Sequence, residues 1–342
     1  MSNLQEVLST LMSNGVSCQL TELVRYRALA SKLNLAPSGS IKNSMAGALT
    51  SRFKGRGMEF DEARHYQPGD DIRSIDWRVT ARTGKTHTKL YREERERPVL
   101  IYVDLSSSMH FGTQLLYKSV QALHAAALIT FSALSRGDKI GCMAVTDKHD
   151  IERKPKSTAK HALSMLNQLV DLQIACVQHP FLEKNNADDS IGNNTIDGEK
   201  INSIDASTRH MNQLSMLAKP GTLVYVISDF STFTADALSV LGKINRHCEV
   251  RPMRIFDPIE QALPKMSGLQ DVLVTNGNQD QHILLGDKKV DKEYKDNRDN
   301  VFATLKSQLA TLGLPLRQIS AASPIEQQLA NSRSGLILGE FT

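Results

Sequence analysis

Short apolar runs that do not alternate with polar residues constrain the fold of this chain more than any other feature. Four of them are rich in β-branched residues, as strands covered on both faces are: 99–103, 140–145, 222–227 and 250–256. Residues 116–134, 161–170 and 235–244 carry apolar side chains at the three- and four-residue steps of a helix. This alternation predicts a doubly wound α/β fold, with a mostly parallel sheet and helices on both faces.

The chain divides into three parts by its pattern of charge and apolar residues. Residues 1–50 are predicted to be an N-terminal helical segment, and residues 51–97 a charged, β-rich segment. Residues 98–342 form the main α/β domain. Within it, the polar stretch 178–219 predicts a mobile insertion, and two apolar runs around an Asn-Gly turn predict a hairpin near 270–286.

Composition excludes several classes of protein. A net charge of +4 on 342 residues, with basic and acidic residues interleaved, argues against nucleic-acid binding. No apolar stretch approaches the roughly 20 residues that span a bilayer, so no transmembrane helix is predicted. The N-terminus has neither a basic cluster nor an apolar core of a secretory signal, which predicts a cytoplasmic protein. The four cysteines form no Cys-x-x-Cys pair, and their default interpretation is reduced thiols in the core.

Two aspartates follow strands of the predicted sheet directly. Asp104 ends the run 99–103, and Asp229 follows the run 222–227. Ligands of an open parallel sheet bind outside the carboxyl ends of its strands. Ser106 and Ser108 alternate with Asp104 along a turn, so one carboxylate and two hydroxyls can point at one place. Oxygen ligands of this kind suit Mg²⁺, or else Mn²⁺ or Ca²⁺. The alternative is that these side chains only cap the following helix.

This arrangement resembles the metal-ion-dependent adhesion site of von Willebrand factor type A domains. The loop 104–108 reads Asp-x-Ser-x-Ser, and Ser228-Asp229 ends a later strand. The resemblance implies a metal site made of the following residues: Asp104, Ser106, Ser108 and Asp229. It also implies a threonine ligand on another loop, for which Thr158, or else Ser157, is the candidate.

A second resemblance begins upstream of the first strand. Residues 55–64, residues 66–77 and Asp257-Pro258 with Glu260 resemble the signature of the domain of unknown function 58 family. The resemblance runs from about Ser51 to the C-terminus. The resemblance implies a von Willebrand factor A-like protein that acts as an adaptor or co-chaperone. Its implied partners are a MoxR-type AAA+ ATPase and other von Willebrand A proteins.

The charged segment 51–97 contains candidates for a partner-binding surface. They are Arg64, Arg73, Trp77 and Arg82. The alternative is a solvated charged face without a partner.

The sequence therefore predicts a non-enzymatic protein-binding module that holds a divalent cation. One alternative is a metal-dependent phosphoester hydrolase, because a cation on an α/β sheet can polarise a phosphoryl group. Position 106, where an aspartyl-phosphate phosphatase would carry its second acid, is a serine, and the chain has no Gly-x-Ser-x-Gly elbow or Gly-Lys-Ser/Thr loop. The other alternative is a scaffold whose loop no longer binds metal.

Overall fold

The computed structural model describes residues 2–30, 58–93, 97–178, 198–265, 268–275 and 280–331. The chain divides into two compact units, one made of Met1–Gly39 with Arg97–Thr342 and the other of Ser40–Glu96. The strands are β1 Met58–His65, β2 His87–Glu93, β3 Pro98–Asp104, β4 Lys139–Val145, β5 Asp150–Lys156, β6 Leu223–Ser228, β7 Glu249–Phe256, β8 Gln270–Thr275, β9 Asp280–Leu285 and β10 Arg317–Ser320. The helices are α1 Ser2–Leu11, α2 Leu20–Val24, α3 Tyr26–Ala30, α4 Trp77–Thr83, α5 Lys118–Ser135, α6 Ala159–Gln178, α7 Gly198–Leu217, α8 Ala235–Ile244, α9 Lys288–Thr311 and α10 Ile325–Asn331.

A six-stranded sheet forms the centre of the larger unit, in the order β10-β7-β6-β3-β4-β5. Every neighbouring pair is parallel except β4 and β5, which are antiparallel. The predicted α/β fold with a mostly parallel sheet is confirmed. In the part of the chain described here, no helix is both long enough and apolar enough to cross a bilayer.

Both faces of the sheet are covered, which explains the unbroken apolar runs. In β3, Val99, Ile101 and Val103 face one core, which also contains α5 and α6. Leu100 and Tyr102 face the other core, together with residues of α7, α8 and α9. Because side chains alternate between the two faces of a strand, a strand buried on both faces has few polar positions.

The N-terminal segment predicted for residues 1–50 is helical in its described part, residues 2–30, but it belongs to the main domain, which corrects the domain boundary predicted at residue 98. Leu11, Leu23, Tyr26 and Ala30 belong to the same buried cluster as α5. The physical reason is that α5 is buried from Lys118 to Ala133, with β3 and β4 on one side and α2, α3 and α6 on the other. A helix that is apolar on all sides needs such a cover. Residues 31–50 lie outside the described residues.

The insertion predicted for residues 178–219 also needs correction, because its second half forms α7. Met211 and Leu214 of this helix are fully buried against the sheet. The apolar side chains of α7 are concentrated near its C-terminal end, so its polar first half hid the helical period. Residues 179–197 lie outside the described residues.

Two antiparallel pairs of strands lie outside the central sheet. β8 and β9 pair antiparallel where the sequence predicts a hairpin near 270–286. In the smaller unit, β1 pairs antiparallel with β2, and α4 lies between them in sequence. The charged segment 51–97 therefore contains a helix as well as strands.

Gly141 in β4 is required by the pairing with β5. The register of the two strands shifts between Ile140 and Cys142. A Cβ atom at position 141 would overlap the carbonyl oxygen of Arg153 and lie 2.8 Å from the nitrogen of Pro155. Both are backbone atoms, so no side-chain rotation relieves the overlap.

We therefore expect Gly141→Ala to lower the free energy of unfolding by about 1 to 3 kcal/mol, the usual cost of overpacking. Urea unfolding followed by circular dichroism measures this change. Gly268→Ala is the matched control, because a Cβ at position 268 has no atom within 4 Å. Equal stability of the two variants would contradict the expectation.

Candidate metal centre

Asp104 and Asp229 lie at the same edge of the sheet because β3 and β6 are parallel neighbours. Val103 is opposite Ile227 in this pair, so the residues that follow leave the sheet side by side. Asp104 is buried, and its Oδ2 atom accepts a hydrogen bond of 2.6 Å from the hydroxyl of Ser228. Its Oδ1 atom accepts one of 3.0 Å from the backbone N–H of Ser106.

Serine hydroxyls surround these two carboxylates. The Oγ atoms of Ser106 and Ser108 are 3.3 Å apart. The hydroxyl of Ser231 donates to Ser108 Oγ over 3.3 Å, and its backbone N–H donates to Asp229 Oδ1 over 2.9 Å. The structure thus brings together four of the five predicted metal ligands, and it adds Ser231.

Thr158, the fifth predicted ligand, lies at the opposite edge of the sheet. β5 is antiparallel to β4, so Asp150 is level with Asp104 whereas Lys156 is level with the start of β3. Six residues of a strand separate these levels by about 20 Å. Thr158 is exposed there, and its hydroxyl accepts from the N–H of His161 at the start of α6. Ser157 lies at the same edge, so neither residue reaches the site.

A buried lysine occupies one side of the site. Lys118 Nζ donates to Asp229 Oδ2 over 2.8 Å and also to Glu260 Oε1. The side chains of Lys118 and Asp229 are only 2% and 3% exposed. Lys118 was not among the site residues predicted from the sequence. Its position offered a signal, because it is the first residue of α5, where the helix dipole disfavours a cation.

The surroundings of the two aspartates shift their pKa values in opposite directions. Burial raises the pKa of Asp104, and the nearby charge of Asp229 raises it further. Burial also acts to raise the pKa of Asp229, but Lys118 and the hydrogen bonds to the carboxylate outweigh it, so this pKa is lowered. Burial opposes the charge of Lys118, yet Asp229 and Glu260 raise its pKa. Among the described residues, no lysine or arginine pairs with Asp104 as Lys118 pairs with Asp229.

The backbone at Phe230 is strained in a way that positions Asp229. Phe230 has a φ of 61°, which is unusual for a residue with a side chain. Its N–H donates to Ser228 Oγ over 2.9 Å, and its buried ring lies 4.7 Å from that of Phe233. These contacts hold the turn that brings the Asp229 carboxylate to Lys118.

Two further carboxylates brace the loop after β3. Asp147, in the turn between β4 and β5, accepts from the backbone N–H of Ser107 over 2.9 Å. Asp257 accepts from the backbone N–H of Thr113 over 2.7 Å and from its hydroxyl. The loop that carries Ser106 and Ser108 is thus fixed from both sides.

The partner-binding candidates all belong to the smaller unit. Arg64 forms an ion pair of 2.7 Å with Asp70, so its charge is already used within the unit. Arg73, Trp77 and Arg82 are exposed, and Trp77 is 66% exposed at the first position of α4. A role of these residues in partner binding stays a prediction.

Comparison with known proteins places the chain in a family. Uncharacterized proteins of Mycobacterium tuberculosis and Mycobacterium bovis are 38% identical to it over 119 residues, which is 34% of this chain and 37% of each relative. The chain therefore matches little more than a third of the length of these curated relatives.

Two solved structures are similar at low identity, and each match covers 64% of this chain and 98% of the other. BatB from Bacteroides thetaiotaomicron is 13% identical with a TM-score of 0.31. An aerotolerance-related membrane protein from Bacteroides fragilis is 12% identical with a TM-score of 0.27. The family model described as "Protein of unknown function DUF58" matches residues 62–300, which is most of the chain. The chain belongs to the DUF58 family.

Proposed function

We propose that this chain is a protein-binding module that holds a divalent cation at Asp104, Ser106, Ser108 and Asp229. The observation that carries the proposal is the burial of two carboxylates side by side, next to hydroxyl groups, at the carboxyl edge of a parallel sheet. Uncompensated charge in such a position is costly. A cation bound there offsets that cost.

The donor set fits a hard divalent cation. All the available atoms are carboxylate or hydroxyl oxygens, which Mg²⁺, Mn²⁺ and Ca²⁺ prefer. No lysine or arginine among the described residues forms an ion pair with Asp104. Asp229 already shares its charge with Lys118. A cation at this site keeps much of its positive charge, and an acidic side chain of a partner protein can bind to it.

The partner suggested by the family resemblance is a MoxR-type AAA+ ATPase, with other von Willebrand A proteins as further candidates. Both remain predictions, as does the cytoplasmic location. The von Willebrand factor A-like character of the fold belongs to the same proposal. Its support here is the order of the strands and the position of the Asp-x-Ser-x-Ser loop after β3.

A second candidate function is a scaffold that needs no metal. Lys118 favours it, because its ammonium group already lies between Asp229 and Glu260. In that case Lys118 is a permanent internal cation, and the site holds the loops together without an ion.

We also propose that the site is not catalytic. His110 is the histidine nearest in sequence to the loop, and both of its ring nitrogens are engaged, one with Ser119 Oγ and the other with the carbonyl of Leu105. Burial lowers the pKa of His110. It is therefore poorly placed to act as a general base, which argues against the alternative of a phosphoester hydrolase.

Calorimetric titration with Mg²⁺, Mn²⁺ and Ca²⁺ tests the proposal. We expect the wild-type chain to bind at least one of them, and Asp104→Ala to lose at least about 100-fold in affinity, since losing even an outer-shell partner costs 10- to 100-fold. A purified MoxR-type ATPase should bind the wild type in metal and not in chelator. Asp171→Ala, which removes an exposed carboxylate on α6, is the control.

The outcomes separate the candidates. Partner binding that persists in chelator, in a chain that binds no divalent ion, would favour the scaffold. Turnover of a phosphoester that requires Asp104 would favour the hydrolase.

A further inference from the structure

Three ligand-type side chains meet in the interior between the N-terminal segment and α5. The Glu22 Oε2 atom lies 3.2 Å from His124 Nε2 and 3.8 Å from Cys18 Sγ. All three ligating atoms lie within 4.8 Å of one another, and all three residues are at most 1% exposed. His124 is six residues after Lys118 on α5, or about 9 Å along the helix. The cluster is therefore separate in sequence and chemistry from the oxygen site.

We propose that Cys18, Glu22 and His124 bind a zinc ion that attaches the N-terminal segment to the core. Thiolate, imidazole and carboxylate are the ligands that zinc takes in proteins, with bonds of about 2.0 to 2.3 Å. Tetrahedral bonds of this length separate neighbouring ligand atoms by about 3.3 to 3.6 Å. The contacts of Glu22 at 3.2 Å and 3.8 Å lie close to that separation, and all three ligand atoms lie within 4.8 Å of one another.

The charges of the cluster also favour a metal. One carboxylate and one thiolate neutralise a doubly charged ion, which leaves a neutral complex in a dry interior. Without a metal, burial raises the pKa of the Cys18 thiol, with the charge of Glu22 as the next cause. The thiol then keeps its proton, and zinc has to displace it.

The alternative is a metal-free ion pair between Glu22 and a protonated His124. An imidazolium carries a proton on both ring nitrogens, and His124 Nδ1 is buried with no hydrogen-bond partner among the described residues. A buried N–H group without a hydrogen-bond acceptor costs more free energy on a charged imidazolium ring than on a neutral imidazole ring. Zinc bound through Nε2 leaves the ring neutral with its one proton on Nδ1, so the same donor stays unmet but without the charge of an imidazolium.

Local geometry explains how the cluster forms. Gln19 begins α2 as its N-cap, and Glu22 reaches back to accept from the Gln19 N–H over 3.1 Å. This turn brings Glu22 next to Cys18, four positions earlier. Gln173 of α6 accepts from the Cys18 N–H over 3.1 Å and fixes the residue from the other side. His124 then faces a preformed pair.

Cobalt substitution tests the proposal on the full-length chain. Elemental analysis of the purified protein should find about one zinc per chain, and refolding with Co²⁺ in place of zinc should produce a thiolate-to-cobalt charge-transfer band. Cys18→Ser should abolish the band and lower zinc affinity at least about 100-fold. Cys248→Ser should keep the band, because that buried thiol belongs to the other core and lies against the carbonyls of Ala218 and Lys219.

The same spectra distinguish this site from the proposed oxygen site. Asp104→Ala should retain the cobalt band, since no cysteine belongs to the oxygen site. Should Cys18→Ser fail to fold, His124→Gln with circular dichroism as a check replaces it, and the same loss of zinc affinity is expected. A wild-type chain that holds neither zinc nor cobalt, or a band that survives in Cys18→Ser, would overturn the proposal.

Discussion

Replacing Lys118 by methionine should lower the free energy of unfolding by about 3 to 5 kcal/mol, the usual cost of removing one partner from a buried ion pair. Lys118 Nζ lies 2.8 Å from Asp229 Oδ2, and both side chains are almost fully buried. Methionine fills a similar volume but leaves Asp229 without a cation. Urea unfolding with and without Mg²⁺ measures the loss. Lys160→Met, which replaces an exposed lysine of α6, is the control.

The stability of the wild type should depend on pH through the same Lys118–Asp229 ion pair. The pKa of Asp229 is lowered in the folded state, so its contribution to stability is present above the ordinary aspartate pKa. It is lost as the pH falls through the lowered value. The pKa of Lys118 is raised, so its contribution is present below the ordinary lysine pKa and is lost as the pH rises through the raised value. Lys118→Met should lose both of these dependences.

Divalent cations should partly restore the stability of Lys118→Met. Without the lysine, Asp229 Oδ2 is open to a metal, so Mg²⁺ should stabilise this variant more than it stabilises the wild type. An equal response of the two proteins would show that Lys118 does not compete with a metal for Asp229. A loss of stability no greater than that of Lys160→Met would contradict the importance of the buried pair.

The central sheet and half of the site could be predicted because they depend on local patterns. A strand buried on both faces has an unbroken apolar run, and the residue after it must lie at the carboxyl edge. Asp104 and Asp229 follow from this rule once β3 and β6 are known to be parallel. The same reasoning could not predict the position of Thr158. β5 runs antiparallel to β4 and returns the chain to the opposite edge of the sheet before Thr158.

Contacts between residues distant in sequence could not be predicted. Lys118 is 111 residues from Asp229, and Glu22 is 102 residues from His124. No spacing in one sequence relates such pairs. Their burial depends on how the N-terminal segment packs over α5 in the folded chain. α7 was missed for a different reason, since its first half is mostly polar and a sustained apolar period begins only at Met211.

We expect Asp104→Asn to be more stable than the wild type in chelator, and less stable than the wild type once a divalent cation is added. In chelator, the buried charge of Asp104 is a cost, and its removal should stabilise the protein by about 0.5 to 2 kcal/mol, the usual gain from one stabilising substitution. With the cation at 100 times its dissociation constant, the wild type gains about 2.7 kcal/mol from binding. The asparagine variant gains much less, because an amide oxygen brings no charge to the metal and binds it more weakly.

The pH dependence gives this prediction an independent test. Because the pKa of Asp104 is raised in the folded state, its cost to stability is present above the raised value and disappears as the pH falls below the ordinary aspartate pKa. The advantage of Asp104→Asn in chelator should therefore shrink on acidification. Asp171→Asn, on the exposed face of α6, should change neither the metal response nor the pH dependence. A variant that is less stable than wild type in chelator, and still stabilised by Mg²⁺, would mean that Asp104 serves as a hydrogen-bond acceptor for Ser106 and Ser228 and not as a metal ligand.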